Sequence, residues 1–197
     1  MGVNLSKKGV RVLGVAESFV KGFPHSVLAG VVMRKDLMID GFCVTRVTVG
    51  GDDSTEKLIE MVKKLGRDDL GLLLLNGCII SWFNIIDLGE VHKELGLPLI
   101  CVTYRESKGI DKYLREYFRD WEKKHMIYKR LGGRAVATVN GYPVFYYSHG
   151  LEKEEVERFL AQVTKHGRVP EPIRVARLLA RTLRNMVAAP REEMVLC

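Results

Sequence analysis

Three strand-like segments follow one another near the start of the chain with no helical segment between them, and this order constrains the fold more than any other feature. Residues 11–16 and 26–33 are short apolar runs, and residues 41–49 alternate between two faces. Such patterns predict strands, with residues 34–40 as the connection of a hairpin. The chain therefore opens with three successive strands, of which the second and third form an antiparallel pair.

The pattern then changes to helical spacing. Apolar residues recur at helical positions over residues 58–65, and Asp53 with Glu56 matches the capping box that begins many helices. Residues 70–75 form a continuous apolar run, which is typical of a strand buried on both faces. The sequence therefore predicts a helix followed by a buried fourth strand.

A second helix is predicted over residues 82–95, followed by a fifth strand over residues 99–103. Because crossovers between parallel strands are right-handed, the economical arrangement has the strands in the order 3-2-1-4-5. The sequence thus predicts an α/β fold with a mixed sheet and helices on both faces. In this arrangement the first and fourth strands are parallel neighbours, about 5 Å apart.

The remaining residues predict a C-terminal extension made of a hairpin and helices. Residues 135–139 and 144–148 flank a turn that contains an Asn-Gly pair. Residues 152–166 and 170–187 have the apolar spacing of helices.

Residues 110–130 predict a further helix, which is highly charged and carries aromatic residues that include Tyr113, Tyr117, Phe118 and Trp121. Their spacing indicates a single packing face. We interpret this face as part of the core, and stacking on nucleic-acid bases is the alternative.

A chain of 197 residues is long enough for one domain with a substantial core. We predict a single domain over residues 1–197, with its core at about residues 10–104 and a C-terminal elaboration at about residues 105–190. No apolar run reaches the roughly 18 residues of a membrane-spanning helix. We therefore expect a cytoplasmic protein that does not enter a membrane.

The chain is basic: 31 Lys and Arg residues against 24 Asp and Glu give a formal charge of +7. The excess is concentrated in residues 108–134 and 168–191. This permits contact with a polyanion such as nucleic acid. The four cysteines have no Cys-x-x-Cys spacing, so we expect reduced thiols and no zinc site.

Several short motifs resemble endonuclease V. Residues 14–19 (Gly-Val-Ala-Glu-Ser-Phe) are similar to its Gly-Val-Asp-x-Ser-Phe/Tyr opening, and residues 75–77 (Leu-Asn-Gly) to its Val-Asp-Gly. Residues 167–176 (Gly-Arg-Val-Pro-Glu-Pro-Ile-Arg-Val-Ala) are close to its Arg-x-Pro-Glu-Pro-x-Arg-x-Ala segment. Residues 51–56 and 84–87 resemble, more narrowly, an uncharacterised and mainly archaeal group related to endonuclease V, the domain of unknown function ninety-nine.

This resemblance spans nearly the whole chain. It implies a ribonuclease H-like fold and a metal-dependent endonuclease that cleaves nucleic acid near deaminated bases, with carboxylates on the first strand, near the first helix and after the fourth strand. Carried over residue by residue, the first aspartate falls on Ala16 and the third on Asn76, and neither is acidic. The narrower group usually has two adjacent aspartates on the first strand, and Glu17 stands at the position of the second.

These replacements remove two formal charges from the implied metal site. Alanine offers no ligand and asparagine offers a neutral carbonyl, so we expect weak binding of Mg²⁺ or Mn²⁺ and assign no cofactor. Glu17, Asp52 and Asp53 remain as catalytic candidates, and Glu17 and Asp53 as metal ligands. The alternatives are a surface or ion-paired carboxylate for Glu17, a helix cap for Asp53 and a solvated turn residue for Asp52.

Candidates for nucleic-acid contact lie in the C-terminal part. Arg168 and Arg174 belong to the best-matched motif, and His149 falls near the C-terminal histidine loop of the related family. For the two arginines, we weigh phosphate contact against a helix start with a local ion pair to Glu171.

The sequence leads to competing functional hypotheses. We favour a nucleic-acid-binding pseudoenzyme with little or no nuclease activity, because the chain is basic and carries Ala16 and Asn76. The alternative is a divergent Mg²⁺- or Mn²⁺-dependent endonuclease that uses Glu17 with Asp52 or Asp53. A metabolic or protein-interaction role is a third hypothesis, since one fold hosts many functions.

Overall fold

The computed structural model describes residues 10–188, which contain nine strands and six helices. Along the chain they are β1 (Arg11–Ser18), β2 (His25–Arg34), β3 (Ile39–Thr48), α1 (Ser54–Lys64), β4 (Leu70–Asn76), β5 (Ile79–Ile80), β6 (Asn84–Ile85), α2 (Leu88–Leu95), β7 (Leu99–Thr103), α3 (Asp111–Tyr117), α4 (Trp121–Arg130), β8 (Ala135–Val139), β9 (Tyr142–His149), α5 (Lys153–Val163) and α6 (Glu171–Ala188). Seven strands form one sheet in the order β3-β2-β1-β4-β7-β9-β8, and β5 pairs with β6. The predicted order 3-2-1-4-5 is confirmed, with β7 in the fifth place.

Strand β1 is an interior strand of the sheet, antiparallel to β2 and parallel to β4. Val15 on β1 lies beside Leu75 on β4, so Ala16 and Asn76, which follow them, reach the same edge of the sheet. Strand β7 continues the parallel part, and the β9–β8 hairpin adds antiparallel strands beyond it. The C-terminal extension therefore enlarges the sheet.

Helices cover both faces of the sheet, as the sequence predicts. On one face, α1 and α2 pack on fully buried side chains that include Leu13 and Leu73. On the other face, α5 and the start of α6 pack on Val12 and Leu72. Successive residues of β1 and β4 thus alternate between two apolar layers.

Helix α6 begins in direct contact with β1. A Cβ atom on Gly14 would lie 2.5 Å from the Cβ of Pro172 and 2.6 Å from its carbonyl carbon. Both distances are far below van der Waals contact, so only glycine permits this approach. The motif over residues 167–176 therefore has a structural role, because its Pro172 anchors α6 on the sheet.

The second helix is shorter than predicted. Residues 79–85 form the β5–β6 hairpin, and α2 begins only at Leu88. The turn between β5 and β6 has positive φ at three successive residues that are not glycine, with 43° at Ser81, 56° at Trp82 and 61° at Phe83. The prediction of a helix from Trp82 was wrong, because a right-handed helix does not pass through left-handed residues.

The charged segment at residues 110–130 forms two helices instead of one. Helix α3 ends at Tyr117 because Phe118 has an extended backbone, with φ −128° and ψ 130°. The face that α3 buries is centred on Leu114, whereas Tyr113 is 46% exposed and Tyr117 is 49% exposed. The interpretation of these tyrosines as core was therefore wrong.

The C-terminal elaboration is described as far as residue 188, and its predicted last residues, 189 and 190, lie outside the described part. Over residues 10–188, no helix combines the length and the apolar character that crossing a membrane requires.

Candidate nucleic-acid site

Ala16 and Glu17 lie near the end of β1 and project from opposite faces of the sheet. Ala16 is 2% exposed and packs with Ala176 of α6. The Glu17 carboxylate is on the α1 side, where it accepts a hydrogen bond of 3.1 Å from the Ser81 hydroxyl. Successive side chains of a strand point to opposite faces of the sheet, and this alternation holds at Ala16 and Glu17. Glu17 therefore does not replace a carboxylate at Ala16, because it faces the other helical layer.

Glu17 is partly buried between β2 and the β5–β6 turn. The Ser81 hydroxyl that donates to it also contacts the hydroxyl of Ser26 on β2. Burial raises the pKa of Glu17 and outweighs the opposing hydrogen bonds from Ser81 and Ser26. Glu17 thus keeps its proton to a higher pH than an exposed glutamate, and the proton competes with a metal ion over a wider pH range.

Asp53 precedes α1, but its side chain makes no capping hydrogen bond. Its carboxylate accepts hydrogen bonds of 2.7 Å from the Thr48 hydroxyl and 2.7 Å from the Asn84 amide. The Thr48 N–H donates to both oxygens, at 3.1 and 3.2 Å. Burial acts to raise the pKa of Asp53, but these hydrogen bonds outweigh it, and the pKa is lowered. The capping-box prediction was wrong, because this carboxylate instead joins β3 to β6.

Asp52 is held by two lysines of α4. The Lys124 ammonium donates to Oδ1 at 2.6 Å, and the Lys123 ammonium donates to Oδ2 at 3.4 Å. The Lys124 side chain is 2% exposed and also donates to the main-chain carbonyls of Gly51 and Phe83, at 2.6 and 3.3 Å. Burial acts to raise the pKa of Asp52, but the two ammonium groups outweigh it, and the pKa is lowered. Asp52 is therefore the partner of a buried cation.

A cavity of about 580 Å³ opens at the carboxyl ends of β4 and β7. Asn76 and Gly77 line it from β4, and Thr103 lines it from β7. Among the described residues its wall contains no Asp or Glu, and its cationic and aromatic side chains are Arg105, Arg134, Arg177, Tyr104, Tyr128 and Tyr147. Asn76 thus faces a cationic pocket.

Arg134 is fixed in the cavity wall. Its guanidinium donates to the Thr103 hydroxyl and to the Arg105 carbonyl, both at 2.9 Å, and lies 4.9 Å from the centre of the Phe145 ring. The Tyr104 hydroxyl is buried and has no hydrogen-bond partner within the described residues. Burial raises the pKa of Tyr104, so this hydroxyl stays protonated.

The two arginines proposed from the motif have different surroundings. The Arg174 guanidinium pairs with Glu171 at 3.2 Å and donates to the His166 carbonyl at 3.1 Å. These contacts are those of a helix start with a local ion pair. The Arg168 guanidinium lies 5.7 Å from the centre of the Tyr104 ring. The structure therefore places Arg168 beside the cavity and engages Arg174 in local contacts.

His149 lies at the opposite edge of the sheet. It pairs with Leu99 at the start of β7, and its ring stacks on His92 with the ring centres 5.8 Å apart. Burial and the neighbouring His92 lower the pKa of His149. The structure does not bring His149 together with the cavity, and its role in nucleic-acid contact stays a prediction.

The sequence model of the family described as endonuclease dU matches residues 8–184. The chain belongs to the endonuclease dU family. Among relatives of this family member, a UPF0215 protein of Pyrobaculum calidifontis is 33% identical over 178 residues, which cover 89% of this chain and 98% of that protein. A UPF0215 protein of Pyrococcus furiosus is 31% identical over 183 residues, which cover 88% and 92%.

Solved structures of similar proteins confirm the ribonuclease H-like fold of this endonuclease dU family member. A protein of unknown function from Archaeoglobus fulgidus has a TM-score of 0.78 at 25% identity, covering 88% of this chain and 98% of that one. Human ENDOV has a TM-score of 0.63 at 17% identity, covering 91% and 86%. Endonuclease V of Ciona intestinalis, solved with a DNA that contains an inosine followed by a ribo-adenosine, has a TM-score of 0.61 at 17% identity, covering 93% and 89%.

Two residues of this endonuclease dU family member depart from the anionic donors that the resemblance to endonuclease V implies for a divalent metal. Ala16 supplies no donor and Asn76 supplies a neutral amide, whereas Mg²⁺ and Mn²⁺ prefer anionic oxygens. Asp53 accepts hydrogen bonds from Thr48 and Asn84, and Asp52 pairs with two ammonium groups. Within residues 10–188, no group of three His, Cys, Asp or Glu side chains is arranged to hold a metal ion.

Sequence reasoning missed the residues that define the cavity and its surroundings. Lys124 carried no signal, because lysine is rarely buried and its helix is highly charged. Ser81 was assigned to the residues before a helix. Arg177 could have been found, since Arg174, Arg177 and Arg181 are spaced to share one face of α6.

Proposed function

We propose that this protein binds nucleic acid at the carboxyl edge of its sheet, with one nucleotide in the cavity, and does not hydrolyse it. The observation on which this depends is the cavity wall, to which residues 10–188 contribute three arginines and no carboxylate. Arginine binds phosphate with two parallel hydrogen bonds, and its charge also attracts the backbone over a longer range. The formal charge of +7 also favours binding of an anionic backbone.

The size and aromatic lining of the cavity suit a nucleotide. A volume of about 580 Å³ lies within the range of small-ligand pockets, roughly 300–1,000 Å³. Tyr104, Tyr128 and Tyr147 line the cavity and provide aromatic surface for a base.

The lack of hydrolysis follows from the donor set at the ends of β1 and β4. Phosphodiester cleavage by metal ions needs a cation held firmly enough to position the attacking water. A methyl group at Ala16 and an amide at Asn76 do not hold one, and Glu17 is on the other face. The chain therefore retains the nucleic-acid pocket without the metal centre.

The relatives of this chain indicate which ligands to test. The family is described as endonuclease dU, and the related endonuclease V of Ciona intestinalis was solved with DNA that contains an inosine. We therefore propose a modified nucleotide of this kind, in DNA or RNA, as the occupant of the cavity.

The test is binding of labelled oligonucleotides: unmodified DNA and RNA, DNA with one dU or one inosine, and RNA with one inosine. We expect micromolar binding that weakens as salt is raised, because phosphate contacts release counterions. The variant Arg177→Ala should weaken binding about fivefold to tenfold and lower the salt slope by about one. Arg158→Ala, an exposed arginine on α5 outside the cavity wall, is the matched control and should bind as the wild type does. Salt-independent or absent binding at micromolar protein rejects the proposal.

A second function, a divergent metal-dependent nuclease, is favoured by one observation. Glu17 and Asp53 lie on the same side of the sheet and are linked through Ser81, Ser26 and the end of β3. Cleavage of the same oligonucleotides in Mg²⁺ or Mn²⁺ that disappears in Glu17→Gln supports this function. If neither ion supports cleavage, the nuclease function is rejected.

A further inference from the structure

Five aromatic side chains meet on the surface next to Glu17, and we call them the aromatic cluster: Trp82, Phe83, Tyr113, Tyr117 and Phe118. The Phe83 ring stacks on Tyr113 and Tyr117 with centres 6.0 and 6.4 Å apart, and the two tyrosine rings are parallel within 4°. Trp82 meets Tyr117 edge-on at 5.6 Å. The cluster joins the β5–β6 turn to α3.

The aromatic cluster remains open to solvent. Tyr113 is 46% exposed and Tyr117 is 49% exposed, although their helix buries Leu114 completely. Trp82 and Phe83 are half-buried. Grouped aromatic rings at a surface mark an interaction site more often than chance, because their burial in a monomer is otherwise favourable.

The turn that presents Trp82 and Phe83 is held in a costly conformation. Positive φ at three successive non-glycine residues costs roughly 1–2 kcal/mol each. Contacts at both ends maintain it: the Gly50 N–H donates to the Ser81 carbonyl at 2.7 Å, and Lys124 donates to the Phe83 carbonyl at 3.3 Å. Such strain persists where surrounding contacts fix it, and it is concentrated at functional sites.

Cationic side chains accompany the rings. The Lys21 ammonium lies 5.8 Å from the centre of the Trp82 ring, and the Arg115 guanidinium lies 4.6 Å from the Trp121 ring, which flanks the cluster. Lys21 and Arg115 are exposed. A surface that combines ring faces with exposed cations is complementary to unpaired bases on an anionic backbone.

We propose that the aromatic cluster is a stacking platform for the bases of single-stranded nucleic acid, next to the nucleotide in the cavity. This rests on the proposed function. Ile79 lines the cavity, and Trp82 follows three residues later, at most about 11 Å away. That distance corresponds to about three nucleotides at the stacking repeat of 3.4 Å. Duplex bases are stacked on each other and hide their faces, so the partner is a single strand.

The experiment compares affinities for an oligothymidylate, for a duplex of the same length and for an abasic oligomer with the same number of phosphates. The double variant Tyr113→Ser/Tyr117→Ser should bind the oligothymidylate about tenfold or more weakly. It should bind the abasic oligomer as the wild type does, because that ligand has the charge without the bases. Tyr142→Ser, at a tyrosine that is 52% exposed at the start of β9, is the matched control.

A second measurement reports directly on contact between the bases and Trp82 of the aromatic cluster. The chain has two tryptophans, so in Trp121→Phe the emission comes from Trp82 alone. We expect the oligothymidylate to quench it and the abasic oligomer to leave it unchanged.

The outcomes separate this inference from the proposed function. If Arg177→Ala loses affinity and the tyrosine variant does not, the stacking platform is overturned and nucleotide binding in the cavity is supported. Loss of affinity in the tyrosine variant alone supports the stacking platform and rejects nucleotide binding in the cavity. Absence of any binding by the wild type overturns both. A dimer that dissociates in the tyrosine variant, without any change in affinity for the oligothymidylate, assigns the cluster to a second copy of the chain and overturns the platform.

Discussion

The ammonium of Lys124 lies 2.6 Å from Oδ1 of Asp52, beneath the left-handed turn and with 2% of its side chain exposed. The same ammonium binds two main-chain carbonyls and lies 4.6 Å from the centre of the Phe118 ring. One buried cation thus joins α4, the residues before α1 and the turn that carries the aromatic cluster. An aspartate that the sequence offered as a catalytic candidate has a structural partner.

Replacing Lys124 should destabilise the fold. In Lys124→Met, the Asp52 carboxylate and two carbonyls lose their donor, and breaking a buried pair in this way costs about 3 kcal/mol. Urea unfolding measures the loss. Lys123→Met is the matched control, because the Lys123 side chain is 61% exposed and its 3.4 Å pair with the same aspartate is worth at most about 1 kcal/mol. Equal effects of the two variants would contradict the structural role of Lys124.

The contact between Gly14 and Pro172 predicts a second sensitive position. In Gly14→Ala the new methyl group meets the Pro172 side chain and backbone at 2.5–2.7 Å, so α6 must shift. We expect a loss of about 1–3 kcal/mol in the free energy of unfolding, as for other overpacked cores. Gly133→Ala is the control, because nothing lies within 4 Å of its Cβ position, and its melting temperature should be close to that of the wild type. A stable Gly14→Ala variant would refute the close approach.

The sheet order was predictable because it depends on periodicity and burial, which the sequence displays directly. The apolar run of β4 and the alternation of β3 identify strands without tertiary information. The left-handed turn at residues 81–83 was not predictable, since no glycine marks it. Contacts with Gly50 and Lys124, distant in sequence, hold it.

The candidate site was predictable only in part. Strand alternation places Ala16 and Glu17 on opposite faces, and the resemblance to endonuclease V identified the strand ends. The cavity wall combines β4, β7 and three arginines separated by many residues. No local pattern brings Arg105, Arg134 and Arg177 together, because their proximity arises from the whole sheet and the placement of α6.

The environment of Glu17 predicts a dependence of stability on pH. Burial raises the pKa of Glu17 above its ordinary value of about 4.5, so the folded state binds this proton more tightly than the unfolded state does. The free energy of unfolding therefore falls as the pH rises from about 4.5 through the folded pKa. In Glu17→Gln this fall is absent, so the variant should gain stability relative to the wild type over that window. Urea unfolding of both proteins between about pH 4.5 and pH 8 is the measurement, and parallel curves would disprove the effect.

Asp53 predicts the opposite dependence. Its pKa is lowered from about 3.8 because the hydrogen bonds from Thr48 and Asn84 outweigh burial. Its contribution to stability is therefore complete above pH 3.8 and is lost as the pH falls through the folded pKa. Asp53→Ala should cost about 2 kcal/mol at neutral pH, as for hydrogen bonds to a charged group, and this difference should shrink in acid. A difference that stays constant down to about pH 2 would show that the hydrogen bonds do not favour the ionised form.

Restoring two carboxylates should restore a metal site. The wild type should show no change in melting temperature between EDTA and about 1 mM Mn²⁺, because a weakly bound ion adds no stability. The double variant Ala16→Asp/Asn76→Asp should be less stable than the wild type in EDTA, since the two like charges repel and Ala16 is 2% exposed. Mn²⁺ should then stabilise it, because the ion binds only the folded state. Ala16→Asn/Asn76→Asp, which restores a single charge, is the matched control and should respond weakly. Mn²⁺ could instead raise the melting temperature of the wild type as much as that of the double variant. The native strand ends would then hold the ion, and the proposal that the protein binds nucleic acid without hydrolysing it would be rejected.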